Sequence, residues 1–148
     1  DLYPCDILFV HRDAEREPPA RRRAEITDAL ADLDASPPTV CVIPVKMQEA
    51  WLLFDVDAIR AAAGNPNGRY PLNLPRPGDI EHLPNPKQTL RDLIRQASEL
   101  TGRKLDRLDD RPHRVAEFIE DFAPLRHLPA FQAFEQEVAQ IIGNQELR

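Results

Sequence analysis

The chain has 148 residues, an apolar share of 42%, a charged share of 30% and a formal net charge of −6 at pH 7. This length is sufficient for one domain with its own core, and the composition is that of a globular protein rather than a fibrous or disordered one. The negative charge argues against long-range attraction of the whole molecule to nucleic acid or to an anionic membrane, so a polyanion would have to meet a local basic patch or metal ions.

The apolar runs and the cysteines indicate where the protein is located. Every apolar run is far shorter than the roughly 20 residues needed to cross a bilayer. The first residues lack the basic and apolar regions of a signal peptide, so we expect none in the sequence shown. Cys5 and Cys41 lie next to apolar strands and have no metal-ligand spacing, which is typical of free thiols in a reducing compartment. We therefore expect a cytoplasmic protein that does not enter the membrane.

The first third of the chain predicts a strand, a helix and a second strand. Residues 6–10 form a continuous apolar run of the kind buried in a parallel sheet. A helix should begin near Pro19 and cover the sheet with the face that carries Ile26, Leu30 and Leu33. Residues 39–45, rich in β-branched side chains, predict the second strand. A crossover of this length implies parallel strands, with both carboxyl ends at one edge of the sheet.

Helical patterns dominate the rest of the chain. One helix is expected from Gln48 to Gly64, a second from Asn85 to Gly102, and two more follow in the last forty residues. Residues 66–84 are rich in proline and lack periodicity, so we predict a surface excursion or lid there, within a single α/β domain that spans residues 1–148.

Acidic side chains follow both predicted strands. Asp13 and Glu15 come after the first strand, and Glu49 comes after the second. Magnesium is typically held by one or two carboxylates together with substrate phosphates, so these three residues are candidate ligands for Mg²⁺ or Mn²⁺. The spacing leaves a structural alternative open, in which Glu15 and Glu49 favour helix N-termini through the dipole and Asp13 caps a turn.

Several basic residues lie close to these acids in the sequence. Lys46 could neutralise charge that develops during phosphoryl transfer, although it fits an ordinary surface lysine equally well. His11, Arg12 and Arg16 are candidate contacts to nucleic-acid phosphates, with hydrogen-bonded structural residues or a solvated helix face as the alternative.

Four segments together resemble the Toprim-like domain of unknown function 4276. They are residues 7–15, residues 44–53, the helix opening Asn85-Pro86-Lys87 and residues 131–134. The resemblance covers nearly the whole chain, and its most specific part is the E-A-W-L-L stretch that starts at Glu49. It implies a Toprim-like three-layer α/β fold with a parallel sheet core and a helical C-terminal part.

The resemblance also implies an activity. Asp13 and Glu15 match the family's D-x-D site, with glutamate in place of the second aspartate, and Glu49 matches the glutamate before Ala-Trp. These matches imply a magnesium- or manganese-dependent nuclease that cleaves phosphodiester bonds, with DNA as its substrate and Lys46 assisting, in a phage-defence or mobile-element system. A protein partner from the same system and oligomer formation are further expectations.

Two departures from the family pattern favour another function. A Toprim domain normally has a further glutamate at the end of an earlier strand, and we expect that strand to be missing from this chain, while the D-x-E variant changes the reach of one carboxylate. The alternative is a catalytically silent Toprim-like module that binds nucleic acid or protein. A phosphotransfer enzyme acting on small molecules would need a nucleotide fingerprint that the sequence lacks.

Overall fold

The computed structural model describes residues 5–33 and 36–146 of the chain. The protein is mixed α/β, with a small two-stranded parallel sheet and about 53% helix. The strands are β1 (Leu8–His11) and β2 (Thr39–Val42). The α-helices are α1 (Pro19–Ala31), α2 (Val56–Ala62), α3 (Pro86–Ala97), α4 (Gly102–Asp106), α5 (His113–Ala116) and α6 (Pro129–Glu146). Three 3₁₀ helices cover Gln48–Leu52, Pro77–His82 and Ala123–His127.

The chain divides into two compact units. The first unit comprises residues 1–45 and 126–148, and the second comprises residues 46–125. The first therefore holds both strands with α1 and α6, whereas the second holds α2 to α5. The expectation of a single domain over residues 1–148 stays a prediction.

The strands of the first unit confirm the predicted parallel pair. Leu8 of β1 lies opposite Thr39 of β2, and His11 lies opposite Val42. Both strands are shorter than the apolar runs that predicted them. The ladder continues through two bonds beyond the strands, from the Arg12 amide to the Val42 carbonyl and from the Ala14 amide to the Pro44 carbonyl. Pro44 has no N–H to donate back, which ends the pairing.

A small apolar cluster underlies the sheet of the first unit. It consists of the buried residues Ala14, Ile26, Cys41 and Ile43, with Val10 and Leu30 packed against it. The predicted buried face of α1 is confirmed for Ile26 and Leu30. It is wrong for Leu33, which lies beyond the end of α1 and is 53% exposed. The charged residues of α1 lie outside this cluster.

The predicted helix from Gln48 to Gly64 is wrong at its centre. The structure has a 3₁₀ helix at Gln48–Leu52 and then a separate α2. Asp55 causes the restart, because its side chain accepts hydrogen bonds from the amides of Asp57 and Ala58 and so caps a new helix. The predicted end is confirmed: Gly64 has φ +72°, and the Gly64 and Asn65 amides bond back to α2 carbonyls.

The second unit has a larger core that α3 helps to build. The Asn85 side chain accepts a hydrogen bond from the Gln88 amide, which confirms the predicted N-cap. The helix ends at Ala97 rather than near Gly102, and Glu99 follows it with φ +55°. Twelve buried residues form the core, drawn from the first 3₁₀ helix, α2, α3 and the α5 region: Leu52, Leu53, Ala58, Ile59, Ala62, Ala63, Leu90, Leu93, Ile94, Ala97, Val115 and Ile119.

The proline-rich residues 66–84 are attached to the second unit by apolar side chains. Leu72, Leu74 and Leu83 pack against its core, and Ile80 is fully buried in the 3₁₀ helix Pro77–His82. A role for this segment as a lid stays a prediction. Within the described residues, no helix combines the length and the apolar character that crossing a membrane requires.

Candidate functional site at the carboxyl ends of the strands

Asp13 is the second residue after the end of β1 and continues the line of the strand. Its neighbours Arg12 and Ala14 donate their amides to β2 carbonyls, so the chain remains extended through Asp13. His11 and Asp13 lie two residues apart on one face of this extended chain, and His11 Nε2 is 3.1 Å from Asp13 Oδ1. Both side chains are partly open to solvent, so this contact contributes little to stability. One carboxylate oxygen of Asp13 nevertheless already contacts the His11 ring.

Glu15 lies in the turn between β1 and α1. It has φ +57°, which is uncommon for a residue other than glycine, and the Glu17 amide bonds to the Ala14 carbonyl across the turn. The first turn of α1 contains no acidic residue, so Glu15 does not stabilise that helix through its dipole. The exposed Glu15 carboxylate therefore does not have the structural role proposed from the sequence as an alternative, which was to stabilise a helix N-terminus.

The arginines of the first unit are largely neutralised by glutamates. Arg12 Nε is 2.9 Å from a Glu25 oxygen, and Arg22 donates two hydrogen bonds of 3.0 Å to the same carboxylate. The hydrogen bonds from Arg22 and the nearby guanidinium charges hold the pKa of Glu25 below its ordinary value. Arg16 is exposed in the turn before α1. Arg12 and Arg22 are thus matched by acid, which weakens this surface as a binding site for nucleic acid.

Glu137 of α6 links α1 to β2. Arg23 of α1 donates hydrogen bonds of 2.6 and 3.1 Å to its two oxygens, and the backbone amide of Cys41 donates a bond of 3.1 Å to one of them. The hydrogen bond to Glu137 raises the pKa of the Arg23 guanidinium, and burial raises the pKa of the Cys41 thiol. Sequence reasoning missed Glu137, since no spacing relates it to Arg23, 114 residues earlier.

Lys46 and Glu49 belong to the second unit. Glu49 lies in the first turn of the 3₁₀ helix Gln48–Leu52, as the dipole alternative predicts. Its Oε1 is 3.7 Å from Lys87 Nζ, which belongs to the first turn of α3. Lys46, half-buried, lies just before that 3₁₀ helix. Lys87 is a partner that sequence reasoning missed, although it stands in the Asn85-Pro86-Lys87 segment.

The E-A-W-L-L stretch that carries the family resemblance has a structural role in the second unit. Ala50, Trp51, Leu52 and Leu53 are all buried. Trp51 Nε1 donates to the buried carboxylate of Glu81 at 3.5 Å, thirty residues away in the proline-rich segment. The stretch therefore positions Glu49 at the surface of a packed core. No feature of the sequence marks Glu81 as its partner.

The expected three-carboxylate metal site is not assembled in either unit. Asp13 and Glu15 belong to the first unit and Glu49 belongs to the second. Across residues 5–33 and 36–146, no group of three or more His, Cys, Asp or Glu side chains is placed to hold a metal ion. Binding of Mg²⁺ or Mn²⁺ by Asp13, Glu15 and Glu49 therefore stays a prediction.

Comparison of the chain with protein-family profiles, with curated proteins and with solved structures finds no match in any of the three. The assignment to a family therefore depends on the four sequence segments alone. The structure contributes the α/β class and the parallel pair of strands.

Proposed function

We propose that this chain is a catalytically silent Toprim-like module that binds a protein partner. The observation that carries the proposal is the placement of the three candidate carboxylates. Asp13 is engaged by His11, Glu49 is engaged by Lys87, and no metal-holding group of three forms among the described residues. Magnesium demands near-ideal octahedral geometry, and carboxylates whose oxygens already contact His11 or Lys87 are not arranged to supply it.

A Toprim-like three-layer fold is part of this proposal. The parallel pair β1 and β2, joined through α1, supports it, because such a fold is built on parallel strands with helical crossovers. The resemblance of residues 44–53 and of the α3 opening supports it independently.

The charges of the first unit favour protein over nucleic acid as the partner. Binding to nucleic acid depends on cations that are free to replace counterions along the phosphate backbone. Arg12 and Arg22 are bound to Glu25, and Arg23 is bound to Glu137. Together with the net charge of −6, these pairs leave little positive potential to attract DNA or RNA.

The metal-dependent nuclease is the second candidate, and one observation favours it. The register of β1 and β2 brings Asp13 to the end of the sheet, and the turn that follows leaves Glu15 exposed. The contact of Asp13 with His11 is partly open to solvent, and even an exposed ion pair is worth no more than about 1 kcal/mol. A cation that brought its own substrate phosphates could displace it.

One experiment separates the two functions. The full chain is incubated with plasmid, single-stranded DNA and RNA, each with Mg²⁺, with Mn²⁺ and with chelator, beside the variant Asp13→Asn. We expect no metal-dependent cleavage, and Mn²⁺ calorimetry should show no binding tighter than about 1 mM. Cleavage that requires metal and disappears in a folded Asp13→Asn variant would overturn the silent module and establish the nuclease. Asp28→Asn, an exposed aspartate of α1, is the matched control.

A further inference from the structure

The second unit contains an open pocket of about 810 Å³. Its walls come from the segment around the start of α2, from the loop after Gly64 and from the residues that follow α5. This volume lies in the range of roughly 300–1,000 Å³ that is usual for ligand pockets. Because the pocket is open to solvent, it suits a side chain carried by a longer segment better than a fully enclosed small molecule.

Aromatic and aliphatic side chains supply the apolar part of the pocket. Phe54, Val56 and Phe118 all line it. Phe54 also makes an edge-on contact with Phe122, with ring centroids 6.2 Å apart. The Phe118 side chain remains 40% exposed, although an aromatic ring gains by being covered. The pocket thus offers an apolar surface that the second unit does not itself cover.

Every charged residue that lines this pocket is acidic. Asp55 and Asp121 are occupied locally, because each accepts hydrogen bonds from nearby backbone amides. Asp57 and Glu120 are exposed, and the Asp57 side chain, at 93% exposure, has only a long contact of 3.8 Å to Arg60. Two carboxylates therefore face solvent beside an apolar surface, and the negative potential there is complementary to a cation.

We propose that this pocket docks a cationic amphipathic segment of a partner protein. An apolar or aromatic side chain of the segment packs against Phe118, while its lysine or arginine side chains meet Asp57 and Glu120. The acidic rim repels nucleic acid, so the charge pattern selects a basic peptide. The inference stands whether or not the chain cleaves phosphodiester bonds, because the pocket shares no residue with the strand-end carboxylates.

The test uses the full chain and two labelled synthetic peptides in fluorescence anisotropy. The first carries leucine and tryptophan at helical spacing with lysine at the remaining positions, and the second has glutamate in place of every lysine. We expect the lysine peptide to bind saturably with Kd on the order of 1–100 μM, and to weaken as salt is raised. The glutamate peptide should not bind.

Variants of the pocket decide whether this binding is specific. Asp57→Lys combined with Glu120→Lys should weaken binding of the lysine peptide at least about tenfold, and so should Phe118→Ala. The matched controls are Asp79→Lys combined with Asp106→Lys, two exposed aspartates outside the pocket, and Tyr70→Ala, an exposed aromatic elsewhere in the second unit. The controls should retain the affinity of the unaltered chain.

Two outcomes would overturn the proposal. The first is a lysine peptide that shows no saturable binding to the folded chain. The second is an equal loss of affinity in the pocket variants and in the controls, which would show attraction by net charge alone. If circular dichroism shows that the lysine substitutions prevent folding, Asp57→Asn combined with Glu120→Gln is used in their place. Its control is then Asp79→Asn combined with Asp106→Asn. The pocket variant must still lose at least about tenfold in affinity for the lysine peptide relative to this control.

Discussion

The two units of this chain are stabilised in different ways. The second unit buries twelve residues in one apolar cluster, among them Ile59 and Leu90, which are fully inaccessible to solvent. The first unit buries four residues in its cluster and connects its elements through charge, with Arg23 of α1 and the Cys41 amide of β2 both bound to Glu137 of α6. The first unit also buries Val40, Leu128 and Phe131, so it combines apolar packing with these charged contacts.

The contacts of Glu137 show how a charged side chain can complete the edge of a two-stranded sheet. A strand at the edge of a sheet leaves one row of amides and carbonyls unpaired, and a buried amide without a partner is costly. In the first unit a carboxylate from α6 satisfies the Cys41 amide. We therefore expect the second unit to be sensitive to the loss of side-chain volume and the first to be sensitive to the loss of a single carboxylate.

Leu90→Ala should have the largest effect on stability. Leu90 is fully buried in the core of the second unit, and removing its side chain leaves a cavity, so the free energy of unfolding should fall by about 2–5 kcal/mol. Denaturant unfolding followed by Trp51 fluorescence measures this directly, because Trp51 is the only tryptophan in the sequence and lies in the second unit.

Leu33→Ala is the matched control for Leu90→Ala. It removes the same atoms from a side chain of the first unit that is 53% exposed, so its effect should stay within about 0.5 kcal/mol. A Leu90→Ala variant no less stable than Leu33→Ala would contradict the idea that the second unit depends on its apolar core.

Glu137→Ala should have the next largest effect, and it tests the first unit. The substitution leaves the Cys41 amide without its acceptor and Arg23 without its partner, which should cost about 1–3 kcal/mol. The matched control is Glu135→Ala on the same helix, which removes an exposed ion pair with Arg126 worth no more than about 1 kcal/mol. Hydrogen exchange of the Cys41 amide should accelerate in the first variant and stay unchanged in the control.

Glu137→Gln separates the two contributions of that carboxylate. The amide oxygen can still accept the bond from the Cys41 amide, whereas the charged partner of Arg23 is lost. Its stability should therefore lie between that of the unaltered chain and that of Glu137→Ala. If Glu137→Gln and Glu137→Ala lower the free energy of unfolding equally, the effect comes from the ion pair with Arg23. The hydrogen bond to the Cys41 amide would then make no measurable contribution.

Local patterns in the sequence are sufficient to predict several elements. The continuous apolar runs predict a parallel pair of strands, and Asn85 followed by Pro86 predicts the start of α3, because both signals involve residues that are neighbours in the chain. The break before α2 was missed although Asp55 is a good N-cap residue. The apolar repeat of Leu52, Val56 and Ile59 continues through the break and hides it.

The partners of the candidate site residues could not be predicted in the same way. Glu137 is 96 residues from Cys41, and the acids Asp13 and Glu49 are separated into different units. Spacing in the sequence carries no information about such pairs, because they depend on how the elements pack. The sequence identifies which residues have the chemistry of a site, whereas their grouping follows from tertiary structure.

The smallest predicted effect is a dependence of stability on pH that comes from an ion pair at the surface of the second unit. Arg111 donates two hydrogen bonds of 2.6 Å to the Asp109 carboxylate and lowers its pKa to about 2, from an ordinary value of 3.8. Because the folded-state pKa is the lower one, Asp109 stabilises the folded chain at pH values above its ordinary pKa, and this stabilisation is lost as the pH falls towards 2.

Asp109→Asn should therefore flatten the fall in stability between about pH 4 and pH 2, measured by Trp51 fluorescence in denaturant. Asp106→Asn removes an exposed aspartate close by in the sequence and should leave the slope as it is. If both variants flatten the dependence of stability on pH equally, the acid sensitivity comes from net charge. The bidentate pair of Asp109 with Arg111 would then make no contribution of its own.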